Sequence, residues 1–99
     1  MDINQLKYFV SVAQTLNFSE AARRNGLTQP SISHHISELE KQLGSRLFLR
    51  DKRSVVLTDA GRAFLPHAME IITISQRAAL ELSSLEHGRG GHLSIAALT

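Results

Sequence analysis

Apolar residues recur at helical spacing in three stretches of the chain, and a short β-capable region separates the last two. The first stretch predicts a helix near the N-terminus from Leu6, Phe9, Val10 and Ala13. Asp2 and Gln5 are placed to form a capping box at its start. Leu16 and Phe18 follow, and we expect both side chains to close over the same core.

Residues 17–48 contain two helix patterns joined by a glycine turn. We expect the first helix to begin at Ser19, an N-cap type, and to end at Gly26, which can adopt the left-handed conformation. Thr28 then begins a second helix, and Pro30 in its first turn costs no intrahelical hydrogen bond. The helices are separated by only about three residues, which is the spacing of a helix-turn-helix.

The second of these helices has one apolar face and one small polar face, and Gly44 is its expected C-cap. Its apolar residues fall within about 40° of one another and predict a buried stripe of Ile32, Ile36, Leu39 and Leu43. The opposite face carries Pro30, Ser33, His34, Ser37 and Lys41, with Ser31 and Glu38 on one flank. Short hydroxyls let the backbone lie close to DNA, and the amide of Gln29 suits adenine. A merely solvated face is the alternative.

A charged hairpin is predicted after this helix. Residues 47–49 and 55–57 are β-capable and flank the turn at 50–54. Between positions 46 and 53 only Asp51 opposes four basic residues, which are Arg46, Arg50, Lys52 and Arg53. Beside a helix-turn-helix such a hairpin is a wing that can touch a DNA backbone or groove, whereas a solvated turn is the alternative.

The longest periodic segment opens at Thr58 and Asp59 and predicts a helix of about 42 Å up to Leu85. Pro66 lies about two turns in, so the helix either kinks there or effectively starts nearer Phe64. A small core cannot cover so long an apolar face, so we expect a two-fold dimer through this helix. Burial against the rest of a longer chain is the alternative. The expected dimerisation stripe is Phe64, Ala68, Ile71, Ile72, Ala78, Leu82 and Leu85, broadened by Leu65, Met69 and Leu80.

Composition excludes several classes of protein. The 99 residues include no cysteine, which excludes a disulfide scaffold and a Cys-type zinc finger. No twenty-residue apolar run and no basic-then-apolar leader is present, so we expect a soluble, cytoplasmic chain without membrane contact. Without a glycine phosphate loop or a serine elbow, we expect no enzymatic activity. Adjacent His34 and His35 face different ways, so we expect no metal site.

Several motifs together resemble the N-terminal region of LysR-type transcriptional regulators. They are FSEAA, TQPSIS, the IxxLExxLG spacing, RLFLR and VVLTDAG, and the match runs from Met1 to about Leu85. The resemblance implies a mainly α fold, in which a winged helix-turn-helix of three helices and a two-stranded β wing precedes a long linker helix that dimerises antiparallel. It divides the chain into a DNA-binding domain at 1–57, a linker helix at 58–86, and a hinge with the first strand of an absent effector-binding domain at 87–99.

The resemblance also implies base and phosphate contacts by Thr28, Gln29, Pro30, Ser31, Ser33, His34 and Ser37, with Arg50 and Arg53 in or beside the wing. Arg23 and Lys52 are further candidate phosphate contacts because of their charge. The family most often has arginine where this chain has His34. A histidine gains charge below about pH 6.5, so we expect operator affinity to strengthen as the pH falls.

We therefore expect a sequence-specific regulator of transcription that binds double-stranded DNA as a homodimer at an interrupted palindrome. No cofactor is expected in the chain itself. A small-molecule effector is expected to bind the longer protein through its missing domain, which in the family also contributes to tetramers. The alternative function is a protein-docking winged helix without DNA affinity.

Overall fold

The computed structural model describes residues 1–88, in which four helices surround a small core and one antiparallel hairpin projects from it. The helices are α1 (Ile3–Thr15), α2 (Phe18–Arg24), α3 (Gln29–Leu43) and α4 (Asp59–Gly88), and the strands are β1 (Phe48–Arg50) and β2 (Val55–Leu57). This is the predicted winged helix-turn-helix followed by a long helix. The predicted strand after the hinge lies outside the described residues.

α1 begins at the predicted N-cap, Asp2, but only half of the expected capping box forms, because the buried Oε1 of Gln5 has no hydrogen-bond partner among the described residues. The expectation for Leu16 at the other end of the helix also differs from the structure. The carboxylate of Asp2 accepts a hydrogen bond of 2.9 Å from the backbone amide of Gln5. Leu16 ends the helix in the left-handed region at φ 51°. Its side chain is 44% exposed, so the expectation that Leu16 closes over the core was wrong. As the C-cap between two helices, Leu16 lies at the rim of the core.

α2 begins earlier than predicted, and its start determines how an aromatic side chain enters the core. Its N-cap is Asn17, whose side-chain oxygen accepts from the amide of Glu20 at 2.9 Å, so the assignment of the cap to Ser19 was wrong. The earlier start places Phe18 in the first turn. There its ring is 4% exposed and packs edge-on against Phe48, with centroids 5.7 Å apart.

The turn and both ends of α3 follow local rules. Gly26 is left-handed at φ 67°, and Gly44 ends α3 at φ 71°. The hydroxyl of Thr28 caps α3 by accepting from the amide of Ser31. Pro30 occupies the first turn, where its missing N–H leaves no intrahelical acceptor unpaired.

The buried stripe of α3 is shorter than predicted. Ile32, Ile36 and Leu39 are buried, whereas Leu43 is 36% exposed and the prediction was wrong at that position. Leu43 is the last residue of the helix, one turn beyond the reach of the core. α1 and α2 both pack against α3, so its outer polar face is left to solvent.

The hairpin is anchored to α3 through a carboxylate. Oε2 of Glu40 accepts from the amides of Leu47 and Phe48 at 2.7 and 3.3 Å. The strands then pair in the register Phe48–Leu57, Leu49–Val56 and Arg50–Val55. These bonds fix the position of the wing relative to the outer face of α3.

α4 starts directly against the base of the hairpin. The hydroxyl of Thr58 accepts from the amide of Gly61 at 2.9 Å and donates to the carbonyl of Arg46 at 2.6 Å. A Cβ at Gly61 would lie 2.2 Å from the carbonyl oxygen of Leu47, so only glycine permits this approach. The helix continues through Pro66, which excludes the alternative start near Phe64.

Candidate nucleic-acid interface

The outer face of α3 presents small polar side chains from the capping residue onward. Thr28, Gln29, Pro30, His34 and Ser37 are exposed, and Ser31 and Ser33 are half-buried. His35 faces inward against Tyr8, with ring centroids 5.0 Å apart, so the two adjacent histidines do face different ways. The face carries hydroxyl, amide and imidazole groups that can reach a partner at short range.

Arg50 connects this face to the wing. Its guanidinium carbon lies 3.8 Å from the centroid of the Phe18 ring, in cation–π geometry. From there Nη1 donates to Oγ of Ser33 at 3.4 Å. β1, α2 and α3 therefore meet at one arginine side chain.

Two grooves lie on either side of Arg50 and are lined by six of the eleven predicted contact residues. The larger, of about 550 Å³, runs between α3 and β1 and is lined by Ser33, Ser37, Lys41 and Arg50. The smaller, of about 240 Å³, lies between the wing and the starts of α2 and α3 and is lined by Gln29, Arg50, Lys52 and Arg53. The structure thus brings both predicted groups together around a shared residue.

The wing turn is held by one acidic side chain. Oδ1 of Asp51 accepts from the backbone amides of Arg53 and Ser54 at 2.8 and 2.9 Å. These hydrogen bonds, the one from Arg53 most strongly, lower the pKa of the Asp51 carboxyl. The single acidic residue of the basic turn therefore orders its backbone, which leaves Lys52 and Arg53 exposed at the tip.

Arg23 stands apart from the other predicted contacts. Its guanidinium pairs with the carboxylate of Glu20, which also pairs with Arg24, and the hydrogen bonds from Arg23 and then Arg24 lower the pKa of Glu20. Arg23 lines neither groove, and of the predicted contacts on α3 and at its N-cap the same is true of Thr28, Pro30, Ser31 and His34. The structure does not bring Arg23 together with the wing.

The predicted stripe on α4 divides into two parts. Phe64, Leu65, Ala68 and Ile72 pack against the core. Ile71, Leu82 and Leu85 are exposed, together with Ile74 at 56%, which the sequence analysis missed. At 3.6 residues per turn, Ile74 joins Ile71, Ala78, Leu82 and Leu85 on one side. Ile74 lies three residues after Ile71 and four before Ala78, a spacing from which its place on this side of the helix could have been predicted.

Leu80 and Met69 lie away from this exposed stripe. Leu80 is 71% exposed and points to the opposite side of α4, so it does not broaden the stripe as predicted.

Within residues 1–88, no helix combines the length and the apolar character needed to cross a membrane.

Comparisons with known proteins place the chain in a family. Residues 3–62 match the family model described as bacterial regulatory helix-turn-helix protein, lysR family. The chain is 45% identical over 95 residues to the HTH-type transcriptional regulator IlvR of Caulobacter vibrioides, covering 96% of this chain and 32% of IlvR. The chain therefore spans about a third of the length of that relative.

Solved structures agree with this assignment. The DNA-binding domain of CbnR in complex with DNA superposes with a TM-score of 0.82 at 38% identity, covering 86% of this chain and 98% of that one. Vibrio fischeri DarR in complex with DNA gives a TM-score of 0.84 at 29% identity, and the match covers 88% of this chain and 30% of the DarR chain. Because the family model matches more than half of the chain, the chain belongs to the LysR family of bacterial regulatory helix-turn-helix proteins.

Proposed function

We propose that residues 1–57 read the sequence of double-stranded DNA, with α3 in the major groove and the wing against the adjacent backbone. The observation that carries the proposal is the pair of grooves around Arg50. One joins the small polar face of α3 to β1, and the other joins the N-terminus of α3 to the basic wing tip. Duplex DNA offers base edges that suit the first surface and phosphates that suit the second.

The roles divide by chemistry. Gln29, Ser33, His34 and Ser37 supply groups suited to base edges, while Lys52 and Arg53 supply charge suited to phosphates. Thr28, Pro30 and Ser31 lie at the N-terminus of α3, whose positive dipole end suits an approaching phosphate. Arg23 contributes least to this proposal, because Glu20 already pairs with it.

Residues 58–86 form the linker helix and join two copies into a homodimer. The support is the exposed stripe of Ile71, Ile74, Ala78, Leu82 and Leu85, which no other element of residues 1–88 covers. A two-fold axis through paired α4 helices presents two α3 helices to two half-sites, which favours an interrupted palindrome as the operator.

For the longer protein, we extend the proposal to a cytoplasmic regulator of transcription without enzymatic activity, controlled by a small-molecule effector outside this chain. The relatives named above are transcriptional regulators, and IlvR is about three times as long as the chain. Tetramers are compatible with this assembly, because a closed dimer can pair again through a further domain.

Selection of binding sites from a randomised duplex library tests the proposal. The expected result is enrichment of an interrupted palindrome whose half-sites lie about one helical turn or a multiple of it apart. Recovery of random sequence with a strong salt dependence would contradict sequence reading. No recovery at all, from a sample shown to be folded and dimeric, would favour the protein-docking alternative.

A further inference from the structure

Arg50 differs from the two other basic residues of the wing in how its side chain is held. Its guanidinium stacks on Phe18 at 3.8 Å and donates to Ser33 at 3.4 Å. Arg50 is exposed, as are Lys52 and Arg53 at the tip, so the difference lies in these two contacts. Within residues 1–88 no carboxylate lies within ion-pair distance of Arg50.

The aromatic ring under Arg50 is buried and packed against a second ring. The ring of Phe18 is 4% exposed and Phe48, which packs edge-on against it, is 1% exposed. Phe48 and Arg50 both belong to β1, so the strand carries the arginine and also one wall of the pocket that orients it. The cation–π contact and the bond to Ser33 place the guanidinium between α2 and α3 and away from the tip of the wing.

The hydrogen bond to Ser33 has a direction that chemistry fixes. A guanidinium has five N–H donors and no acceptor, so Oγ of Ser33 must be the acceptor. The hydroxyl hydrogen of Ser33 then points elsewhere, and among the described residues no group accepts it. The guanidinium occupies one of the two acceptor lone pairs of Ser33 and leaves its hydrogen free, which favours donation to a partner over acceptance from one.

We propose that Arg50 is a positioning residue that determines base specificity by holding the hydroxyl of Ser33 as a hydrogen-bond donor toward one base. This inference rests on the proposed function. In the major groove, guanine N7 and O6, adenine N7 and thymine O4 accept such a bond, whereas cytosine offers only its amino donor. Ser33 therefore disfavours cytosine at the base it faces, and the discrimination depends on Arg50.

The test uses the whole 99-residue chain and a set of duplexes based on the site that wild type selects. In each duplex one position of the half-site is changed, so that all four base pairs are measured at every position. Relative affinities come from competition anisotropy for wild type, Ser33→Ala, Arg50→Gln and the double variant. Arg53→Gln is the matched control, because it removes the same charge from the same hairpin without touching Ser33 or Phe18. Thermal unfolding and amide NMR spectra check that each variant keeps the fold.

The expected result is that Ser33→Ala and Arg50→Gln each reduce discrimination against cytosine about 10-fold at one shared position. The double variant loses about 10-fold rather than about 100-fold, because one interaction is removed in all three proteins. Arg53→Gln keeps the discrimination and binds every sequence more weakly.

The proposal is overturned if Arg50→Gln or Ser33→Ala keeps the wild-type base preference, or if the losses multiply in the double variant. Those outcomes leave the proposed function intact, because wild type still selects a sequence. Failure of wild type to bind DNA contradicts the proposed function itself, and this inference with it.

Discussion

α3 and α4 are both amphipathic, but they place their apolar residues in opposite environments. α3 covers Ile32, Ile36 and Leu39 with α1 and α2 and turns its small polar face outward. α4 packs one side of its first half, up to Ile72, against the core, whereas Ile71, Ile74 and the later residues of the stripe face solvent. The surface of α3 therefore suits a polar, charged partner, whereas that of α4 suits an apolar one.

The side-chain chemistry of an exposed helix face indicates which kind of partner it can bind. Small hydroxyl and amide groups beside a basic hairpin match base edges and phosphates. A long apolar stripe matches another stripe of the same kind, and dimerisation supplies one. α3 with the wing therefore offers a surface for one kind of partner, and α4 offers a surface for another.

The largest expected effect is at the buried stripe of α3. Ile32 is 0% exposed, so Ile32→Ala should lower the free energy of unfolding by about 2 to 5 kcal/mol through lost burial and the cavity left behind. Urea denaturation at several protein concentrations measures this loss. A change under about 1 kcal/mol would show that the core relaxes around the smaller side chain.

An apolar residue of the exposed stripe should affect association instead. Ile74→Asp places a charge in the exposed stripe of each copy, so a dimer through this stripe would bury two charges. Dimerisation should weaken about 100-fold or more, while the fold of the monomer stays intact. Sedimentation equilibrium over a dilution series gives the dissociation constant.

Leu80→Asp is the matched control, because it makes the same change on the opposite side of the same helix. It should leave the dimer unchanged. Equal weakening by both variants would place the interface elsewhere on α4, and a wild-type chain that is monomeric throughout would support burial against another part of a longer chain.

On the polar side of the comparison, we expect Gln29→Ala to relax base preference by about 1 to 3 kcal/mol at one half-site position. Gln29 is exposed at the start of α3 and lines the groove beside the wing, where its amide can bond a base at two atoms. Competition binding with single-base-pair changes measures the preference. Equal losses on specific and random duplexes would show that Gln29 contacts only the backbone.

The smallest effect concerns the wing turn and its pH dependence. The Asp51 carboxylate accepts two backbone amides, and its pKa is lowered in the folded chain. A lowered folded pKa means that this contribution is fully present above the ordinary value near about 4 and is lost as the pH falls through the lowered value. The turn is therefore intact at neutral pH and loosens only in acid.

NMR titration of the Arg53 and Ser54 amides measures this transition. The chemical shifts of these amides should change with pH, with a midpoint below the ordinary aspartate pKa of about 3.9. Asp51→Asn should remove this transition. A midpoint at or above that value would show that the carboxylate does not order the turn.

Much of the architecture follows from local chemistry and could be predicted from the sequence. Gly26, Thr28, Pro30 and Gly44 each act within one turn of a helix, so their roles are visible without the rest of the molecule. The hairpin follows from two apolar segments around a charged turn. The general location of the interface follows from the small polar face of α3 beside that hairpin.

The remaining features depend on distances that sequence periodicity does not contain. Helical angles place Leu43 on the apolar side of α3 but do not say where the core ends. Asn17 and Ser19 are both good caps, and burial of Phe18 decides between them. Arg50 lies 32 residues after Phe18, so their contact is visible only in the folded chain.

Salt-dependent fluorescence anisotropy tests whether the chain reads the sequence of DNA through contacts that include phosphates. The chain is titrated onto its selected duplex and onto a randomised pool between about 50 and 200 mM salt. The account predicts tighter binding to the selected duplex and a slope of log K against log salt between about −4 and −7, for four to eight phosphates neutralised by the dimer. Equal affinity for both duplexes, or a slope near zero, would contradict it.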